Sequence, residues 1–269
     1  MYLGLHSVMN ARDLGGYKCE HGVVKSGVLF RTGHLDRIAD DDKEVLKQYN
    51  ITDIVDFRLA EERVGDGTLE WAKEHNINII DRSNISESPV LQEGYTVEDF
   101  KNYLKVAEAF GIIGSSRYVN SVKSEYSIKG YRKFFDILLN ADGAVLFHCA
   151  SGKDRTGIAA ALLLGALGVS DADITYDFML SNEYNKKRID TIREYFMEKT
   201  NDKEFTESAV VFFEGVSKEH FDNFLNYINS NFGTIKDYCI QVLGLTIEDI
   251  EKLRYKYLDE FRTENMKEM

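Results

Sequence analysis

The stretch "VLFHCASGKDRTGIAAALLLGALG", from Val145 to Gly168, decides the fold of this chain. Its apolar beginning is typical of a buried strand, which ends at His148 and Cys149. A short polar loop follows, and the Ala/Leu-rich remainder from Gly157 is typical of a buried helix. Because ligands bind at the carboxyl ends of the strands in parallel α/β sheets, this loop is a candidate binding site.

Similar patterns on both sides of this stretch extend the interpretation. Short β-branched runs predict three further strands, "GVLFRTG" (27–33), "ITDIVDFR" (51–58) and "INII" (77–80). Helical spacing predicts helices in "DDDKEVLKQYN" (40–50), in "TLEWAKEHN" (68–76) and through most of the chain after Gly157, with Asp171 and Thr246 as N-caps. The sequence therefore predicts an α/β fold with a mainly parallel central sheet flanked by helices, and a helical C-terminal half.

The domain organisation follows from the length of the chain. Its 269 residues predict a single domain that spans 1–269. Residues 87–130 contain no predicted strand, but they include the amphipathic segment "TVEDFKNYLKVAEAF" (96–110). This region is either ordinary scaffold that buries one helical face or an inserted helical lid over a pocket, and the sequence leaves both interpretations open.

Composition narrows the expected partners and location. The net charge of −12 opposes nonspecific binding of nucleic acid, so no nucleic-acid partner is expected. The longest apolar run is shorter than the roughly 20 residues that span a bilayer, and "MYLGLHSVMNARD" lacks the features of a secretory signal. We expect a cytoplasmic protein without an integral membrane segment, and export by a route that leaves no sequence mark is compatible with this. Three scattered cysteines give neither a disulfide framework nor paired zinc ligands, and no pattern indicates an oligomeric state.

The loop that follows Cys149 concentrates groups suited to phosphate chemistry. Backbone N–H groups at a helix N-terminus bind a tetrahedral oxyanion, and the same positive field favours the thiolate of Cys149 over the thiol. Arg155 can grip two phosphate oxygens with its planar guanidinium, and Lys153 adds a second cation. Asp154 can protonate a leaving group, and Thr156 can donate a hydrogen bond to the sulfur.

The string "HCASGKDRTG" (148–157) resembles the C-x5-R signature of cysteine-based protein-tyrosine and dual-specificity phosphatases. Over its full length it is similar to the bacterial tyrosine phosphatases of the type secreted by mycobacteria and Listeria, a branch that also acts on phosphoinositides. Accessory segments that resemble the same branch are "NARDLGGY" (10–17), "LFRTGHLD" (29–36), "IVDFR" (54–58) and "DFMLSNEY" (177–184). The resemblance extends over about residues 8–260 and implies a protein-tyrosine-phosphatase-like fold.

The resemblance also implies a mechanism without metal or cofactor. Cys149 would carry a phosphoryl intermediate, Arg155 would bind the phosphate and Asp154 would be the general acid. Asp56, at the end of a predicted strand, is the rival acid. His148 either orients the loop or is an ordinary buried histidine. The predicted substrate-binding set comprises Ala150, Ser151, Gly152, Lys153, Thr156, Asp56 and His148.

The expected substrates are phosphotyrosyl proteins. The alternatives are a phosphoinositide or inositol-phosphate phosphatase and a non-catalytic phosphate-binding module. Lys153 either would bind a second phosphate, as on an inositol ring, or is an ordinary solvated loop residue. Arg12 either pairs with the adjacent Asp13 or, because the resemblance places its segment near the pocket, contacts ligand. Arg31, Thr32 and Arg58 are candidates for ligand contact on the same ground, but for Arg58 a surface pair with Glu61 or Glu62 is favoured.

Overall fold

A computed structural model describes residues 2–63, 67–81 and 96–260. Its strands within these ranges are β1 (Arg12–Asp13), β2 (Lys18–Cys19), β3 (Gly22–Val24), β4 (Leu29–Thr32), β5 (Ile51–Asp56), β6 (Asn78–Asp81), β7 (Ala144–His148) and β8 (Leu258–Asp259). The main sheet of the described residues has the order β1-β4-β7-β5-β6, and β4, β7, β5 and β6 run parallel. Strand β1 is its antiparallel edge, and β2, β3 and β8 form a small separate sheet. The predicted α/β class and mainly parallel sheet are confirmed.

Helices flank this sheet and occupy most of the second half of the chain. The described helices are α1 (Asp40–Leu46), α2 (Gly67–Glu74), α3 (Val97–Ala109), α4 (Arg117–Lys123), α5 (Glu125–Asn140), α6 (Asp154–Leu167), α7 (Asp171–Tyr184), α8 (Lys186–Thr200), α9 (Lys203–Phe213), α10 (Lys218–Phe232), α11 (Ile235–Gln241) and α12 (Ile247–Tyr257). Among the helices in the described ranges, none is both long and apolar enough to cross a bilayer.

The two predicted N-caps have different outcomes. Thr246 caps α12, and its hydroxyl accepts the N–H of Asp249. Asp171 is the first residue of α7 rather than its cap, so that prediction is wrong by one position. Ser170 is the cap, because its extended backbone and short hydroxyl reach the N–H of Asp173.

Helix α6 is the centre of the core, and its position fixes the site. Every one of its residues is buried, as expected for a helix that is apolar on all sides. Gly165 lets Ile235 of α11 approach closely, since a Cβ there would lie 2.5 Å from the Ile235 side chain. The N-terminus of α6 follows directly from the loop after the central strand β7, at the carboxyl edge of the sheet.

The region predicted as scaffold or lid begins with residues 87–95, which lie outside the described residues. Its described part contains α3, α4 and the start of α5. Helix α3 packs on α8 and α9 through an aromatic cluster that includes Phe100, Phe196 and Phe205. Tyr118 and Val122 of α4 belong instead to the main core, so the region contributes to both packing units.

Candidate functional site

The site is built on the cysteine loop, residues 149–155, which joins the central strand β7 to α6. His148 at the end of β7 lies opposite Thr32 of β4 and Asp56 of β5 in the sheet register. Cys149 follows it and is only 3 % exposed. The structure therefore places the predicted residues 148–156 together at the carboxyl edge of the sheet, with Asp56 beside them.

Four successive carbonyl groups of the cysteine loop accept hydrogen bonds from the surrounding protein. The Ala150 oxygen accepts the His34 N–H at 3.0 Å, and the oxygens of residues 151 and 152 accept the Asn10 amide at 3.4 and 2.9 Å. Arg31 donates to the oxygens of residues 152 and 153 at 2.8 and 3.4 Å. In a trans peptide the carbonyl and the following N–H point in opposite directions. The N–H groups of residues 151–154 therefore face the other side of the loop, as an anion-binding nest requires.

Gly152 is needed for this loop conformation. Its φ of +67° lies in the left-handed region that favours glycine. A Cβ at this position would lie 2.3 Å from the carbonyl oxygen of Thr32 and 2.7 Å from the nitrogen of Gly33. Both atoms belong to the backbone after β4, so the loop can pass this close only without a side chain.

Arg155 is oriented by Glu62, which follows β5 in a short 3-10 turn at Ala60–Glu62. Its Nη1 and Nη2 each donate to a Glu62 oxygen at 2.6 Å, and Nη1 also donates to the Phe57 carbonyl at 3.1 Å. Burial lowers the pKa of Arg155, but Glu62 and the thiolate of Cys149 raise it above its ordinary value. These contacts do not use the Nε–H or the second Nη2 N–H of Arg155. The two N–H groups lie on the same edge of the guanidinium and can bind two phosphate oxygens.

Asp154 is held by donors from α4. Its Oδ1 accepts the Tyr118 hydroxyl at 2.7 Å, and its Oδ2 lies 3.2 Å from the Arg117 guanidinium. Burial raises the pKa of Asp154, but Arg117, Lys153 and Tyr118 together bring it below its usual value. Asp154 and Arg155 line a cavity of about 520 Å³, whose other walls include Tyr118 and Tyr131.

Asp56 lies in a buried ion network rather than facing an open space. Arg58 donates to Asp56 at 2.9 Å and to Asp36 at 2.5 and 3.0 Å. Burial raises the pKa of Asp56, but His148 and Arg58 lower it to about 2. Arg58 is 2 % exposed, so the predicted surface pair is wrong. Arg58 binds Asp36 and Asp56 instead of a glutamate, and Glu62 binds Arg155.

Lys153 is directed toward the end of α9. Its ammonium group donates to the carbonyl oxygens of Val211, Phe212 and Gly215 at 2.6, 3.1 and 2.9 Å. Burial lowers its pKa. Binding of a second phosphate by Lys153 would therefore require these three hydrogen bonds to break.

Two other predicted residues are buried with part of their hydrogen-bonding capacity unused. The Nδ1 of His148 lies 3.2 Å from the Cys149 carbonyl oxygen, and its Nε2 has no partner among the described residues. Burial lowers the pKa of His148. The Thr156 hydroxyl likewise has no partner within the described ranges, and its hydrogen bond to the departing sulfur stays a prediction.

Behind the loop, Arg12 binds Asp177 and not its neighbour Asp13. Its Nε donates to Asp177 at 2.8 Å, so the predicted Arg12–Asp13 pair is wrong. Adjacent strand residues point to opposite faces, and the Asp13 carboxylate instead accepts the N–H groups of Gly15 and Gly27. Arg31 donates to the other Asp177 oxygen at 2.5 Å.

No role was predicted from the sequence for Arg117, Tyr118 or Asp177, and Glu62 was predicted only as a surface partner of Arg58, not of Arg155. Asp177 lies in the accessory segment "DFMLSNEY", which was a usable signal. No sequence signal linked Glu62 to Arg155, which is 93 residues away, or Tyr118 to Asp154, which is 36 residues away.

Comparison of the sequence with known proteins identifies a family for this chain. A sequence profile described as the tyrosine phosphatase family matches residues 3–259. A Cupriavidus necator protein named as a candidate tyrosine-protein phosphatase is 26 % identical, with coverage of 95 % of this chain and 88 % of the relative. The triple specificity protein phosphatase PtpB of Mycobacterium tuberculosis is 25 % identical, over 86 % of this chain and 91 % of its own. A tyrosine-protein phosphatase of Nostoc commune is 30 % identical, over 62 % and 52 % respectively.

Proposed function

Because the chain belongs to the tyrosine phosphatase family, we propose that it hydrolyses phosphotyrosine in proteins through a phosphoryl intermediate on Cys149. The observation that carries this proposal is the orientation of the cysteine loop. Four outward carbonyl groups turn the N–H groups of residues 151–154 toward one side, and the free edge of Arg155 adds two more donors. Such a set of donors matches the oxygens of a phosphoryl group.

The proposed reaction has two steps. The Cys149 sulfur attacks phosphorus, the P–O bond to the tyrosine breaks, and Asp154 gives its proton to the phenolate oxygen. Water then attacks phosphorus, the P–S bond breaks, and Asp154 takes the proton from that water. Inorganic phosphate leaves and the thiolate is restored. Arg155 and the loop N–H groups stabilise the charge on the three equatorial oxygens in both steps.

Asp154 is the better candidate for the acid than Asp56. Asp154 lines the cavity beside Arg155, whereas Asp56 is 4 % exposed and engaged by Arg58. Asp154 is ionised before substrate binds, since donors lower its pKa. A phosphate dianion in the loop raises the pKa of a neighbouring carboxyl group, so substrate binding favours the protonated form that the first step needs.

The test is hydrolysis of p-nitrophenyl phosphate with EDTA present. Wild type is expected to turn over, and Cys149→Ser is expected to lose activity by roughly 10³-fold or more. Cys19→Ser is the matched control and should retain activity, because Cys19 lies in β2, outside the cysteine loop. Turnover that persists in Cys149→Ser, or that needs added magnesium, contradicts the mechanism. A wild-type protein that binds phosphate without turnover would be the non-catalytic module.

A phosphoinositide or inositol phosphate is the second candidate substrate. Its specific support is the triple specificity named for the M. tuberculosis relative. The contacts of Lys153 with three carbonyl oxygens weigh against it, since they occupy the cation proposed for a second phosphate. We expect a higher kcat/KM for a phosphotyrosyl peptide than for a short-chain soluble phosphoinositide, and the reverse order would favour the lipid assignment.

The described part of residues 87–130 is proposed to serve as a lid beside this site. Residues of the α3–α4 connection and of α4 line the same cavity as Asp154 and Arg155, and Phe110 there is 76 % exposed. Helix α3 also packs on α8 and α9, whose end is held by Lys153. The segment is thus tied to the cysteine loop at two points, and its displacement would change access to Cys149.

A further inference from the structure

Four buried polar side chains lie directly behind the cysteine loop, and the reaction above gives them no role. We call Asn10, Arg12, Arg31 and Asp177 the loop-backing cluster. Each of them is at most 2 % exposed. Burial of charged groups is costly unless they are paired and hydrogen-bonded, so this arrangement calls for a specific reason.

The cluster joins the N-terminal segment, β4 and α7 to the loop. Arg12 and Arg31 bind the two oxygens of the Asp177 carboxylate at 2.8 and 2.5 Å. Arg31 uses its other terminal nitrogen for the Gly152 carbonyl oxygen at 2.8 Å. Asn10 donates to the same oxygen at 2.9 Å and accepts from Arg12. The cluster therefore fixes the orientation of the loop peptides from the side opposite to their N–H groups.

The charges within the cluster do not cancel. Two guanidinium groups share one carboxylate, which leaves a net charge of +1 in the protein interior. Tyr17 donates to Asp177 and is neutral at physiological pH, because burial raises its pKa. Burial and Arg12 lower the pKa of Arg31 to about 10, so Arg31 stays protonated at neutral pH.

This net charge lies directly behind the loop that begins at Cys149, because Arg31 bonds two of the loop carbonyl oxygens. An ionised Cys149 raises the pKa of Arg31 by electrostatic attraction. The Nε of Arg31 is buried and has no partner among the described residues, so its charge is incompletely compensated. The other titratable groups that interact with Cys149 or adjoin it come from β7, the loop, α5 and α6: His148, Lys153, Asp154, Tyr131 and Arg155.

We propose that the loop-backing cluster is a positioning device with a net positive charge: it holds the loop carbonyls outward and stabilises the ionised thiol of Cys149 without touching the substrate. The proposal rests on the proposed function in that Cys149 is taken as the nucleophile. Arg31 is the central member, because it alone bonds both the Asp177 carboxylate and the loop carbonyls.

The experiment measures how fast iodoacetamide alkylates Cys149 as a function of pH, followed on the Cys149 peptide by mass spectrometry. Iodoacetamide is neutral, so its approach does not depend on the charge of the protein. Arg31→Gln is expected to raise the pH midpoint of alkylation by about one unit. Asp177→Asn makes the cluster more positive and is expected to lower the midpoint. Arg31→Lys retains the charge and should keep the midpoint near that of wild type.

Opposite shifts of the alkylation midpoint in Arg31→Gln and Asp177→Asn distinguish an electrostatic effect from a merely structural role. Structural damage would shift the midpoint of both variants in the same direction. Arg254→Gln is the control, since it removes one mostly buried arginine from α12, which packs on α6. If Arg31→Gln does not fold, Arg12→Gln carries the same prediction. Shifts of equal sign in Arg31→Gln and Asp177→Asn, or none beyond the control, overturn the proposal. Alkylation does not require turnover, so failure of the phosphatase assignment is recognised separately, in the Cys149→Ser assay.

Discussion

At the scale of single residues, two aspartates near the loop differ in what their carboxyl oxygens can do. Asp56 accepts from Arg58 through both oxygens and has a pKa of about 2. Asp154 faces a cavity, and one of its donors is the neutral hydroxyl of Tyr118. A general acid must reach the leaving group and recover its proton in each cycle, and these differences are why Asp154 rather than Asp56 is the proposed acid.

Asp154→Asn is therefore expected to slow phosphatase turnover according to the leaving group. For phenyl phosphate, whose phenolate needs a proton, we expect kcat to fall by roughly 10²-fold or more, and for p-nitrophenyl phosphate by much less. Asp56→Asn should leave the dependence on leaving group unchanged and lower the free energy of unfolding, because Arg58 loses a charged partner. A steep dependence in Asp56→Asn and none in Asp154→Asn would reverse the assignment.

The residues that sequence could identify are those whose chemistry is local. Cys149 and Arg155 were predicted because their spacing within one loop is itself the signal. The partner of Arg155 was not found, because Glu62 reaches it only through the parallel pairing of β5 with β7. Arg12 was given the wrong partner for the same reason: a neighbour in sequence was preferred to Asp177, 165 residues away.

At the scale of elements, the strand length decided what could be predicted. β4, β5, β6 and β7 have four to six residues each, and their apolar patterns predicted them. β1, β2, β3 and β8 have two or three residues each and no pattern of their own. They form because distant chain segments meet, as where Val24 pairs with Leu258. β1 nevertheless carries Arg12, a member of the proposed positioning device.

The cysteine loop itself offers a sharp test through Gly152. Gly152→Ala is expected to reduce kcat/KM by roughly 10²-fold, because the new Cβ would displace the loop from the Thr32 and Gly33 backbone. Gly244→Ala is the matched control: its φ of +72° is close to +67° at Gly152, but nothing lies within 4 Å of its Cβ. Both variants should lose about 1–2 kcal/mol from backbone strain, and only Gly152→Ala should lose activity. Equal activities would mean that the close approach is unimportant.

The proposed lid is tested by loosening α3. Phe100→Ala removes the ring that contacts Phe196 and Phe205, and it should increase the rate at which peroxide inactivates Cys149 by several-fold. Phe224→Ala is a control of equal size in the main core, away from the cluster of α3, α8 and α9. Inactivation that is equally fast in both variants would reflect general destabilisation and contradict a lid.

At the scale of the whole molecule, a chain with a net charge of −12 buries four cations around its proposed phosphate-binding loop. The surface repels a phosphate, whereas Arg12, Arg31, Lys153 and Arg155 are each at most 7 % exposed around the loop. Low-dielectric surroundings strengthen the field of these cations at Cys149 and shield it from salt. The carboxylates that pair with these cations, such as Asp177 with Arg12 and Arg31, stabilise the fold only when they are ionised. The free energy of unfolding therefore depends on pH.

The free energy of unfolding is therefore expected to fall on acidification. Asp56 and Asp177 have pKa values of about 2 in the fold, against about 3.8 when unfolded. A carboxyl group whose pKa is lowered by folding stabilises the folded state at pH values above its unfolded pKa. Each aspartate therefore contributes on the order of 2 kcal/mol to the free energy of unfolding, and this contribution is lost as the pH falls from about 5 to 2. His148, whose pKa is lowered by burial, adds a loss that begins below about pH 6.5.

Glu214 opposes this trend, because burial raises its pKa and its ionisation destabilises the fold as pH rises. Glu214→Gln should therefore be more stable than wild type at pH 7.5 and converge with it near pH 4. Urea titrations of both proteins from pH 7.5 to 3.5 measure the two curves. Parallel curves would show that the Glu214 carboxyl group does not change its protonation on folding. A Glu214→Gln curve that is flat down to pH 3.5 would contradict the coupling through Asp56 and Asp177, because that variant lacks the opposing contribution of Glu214.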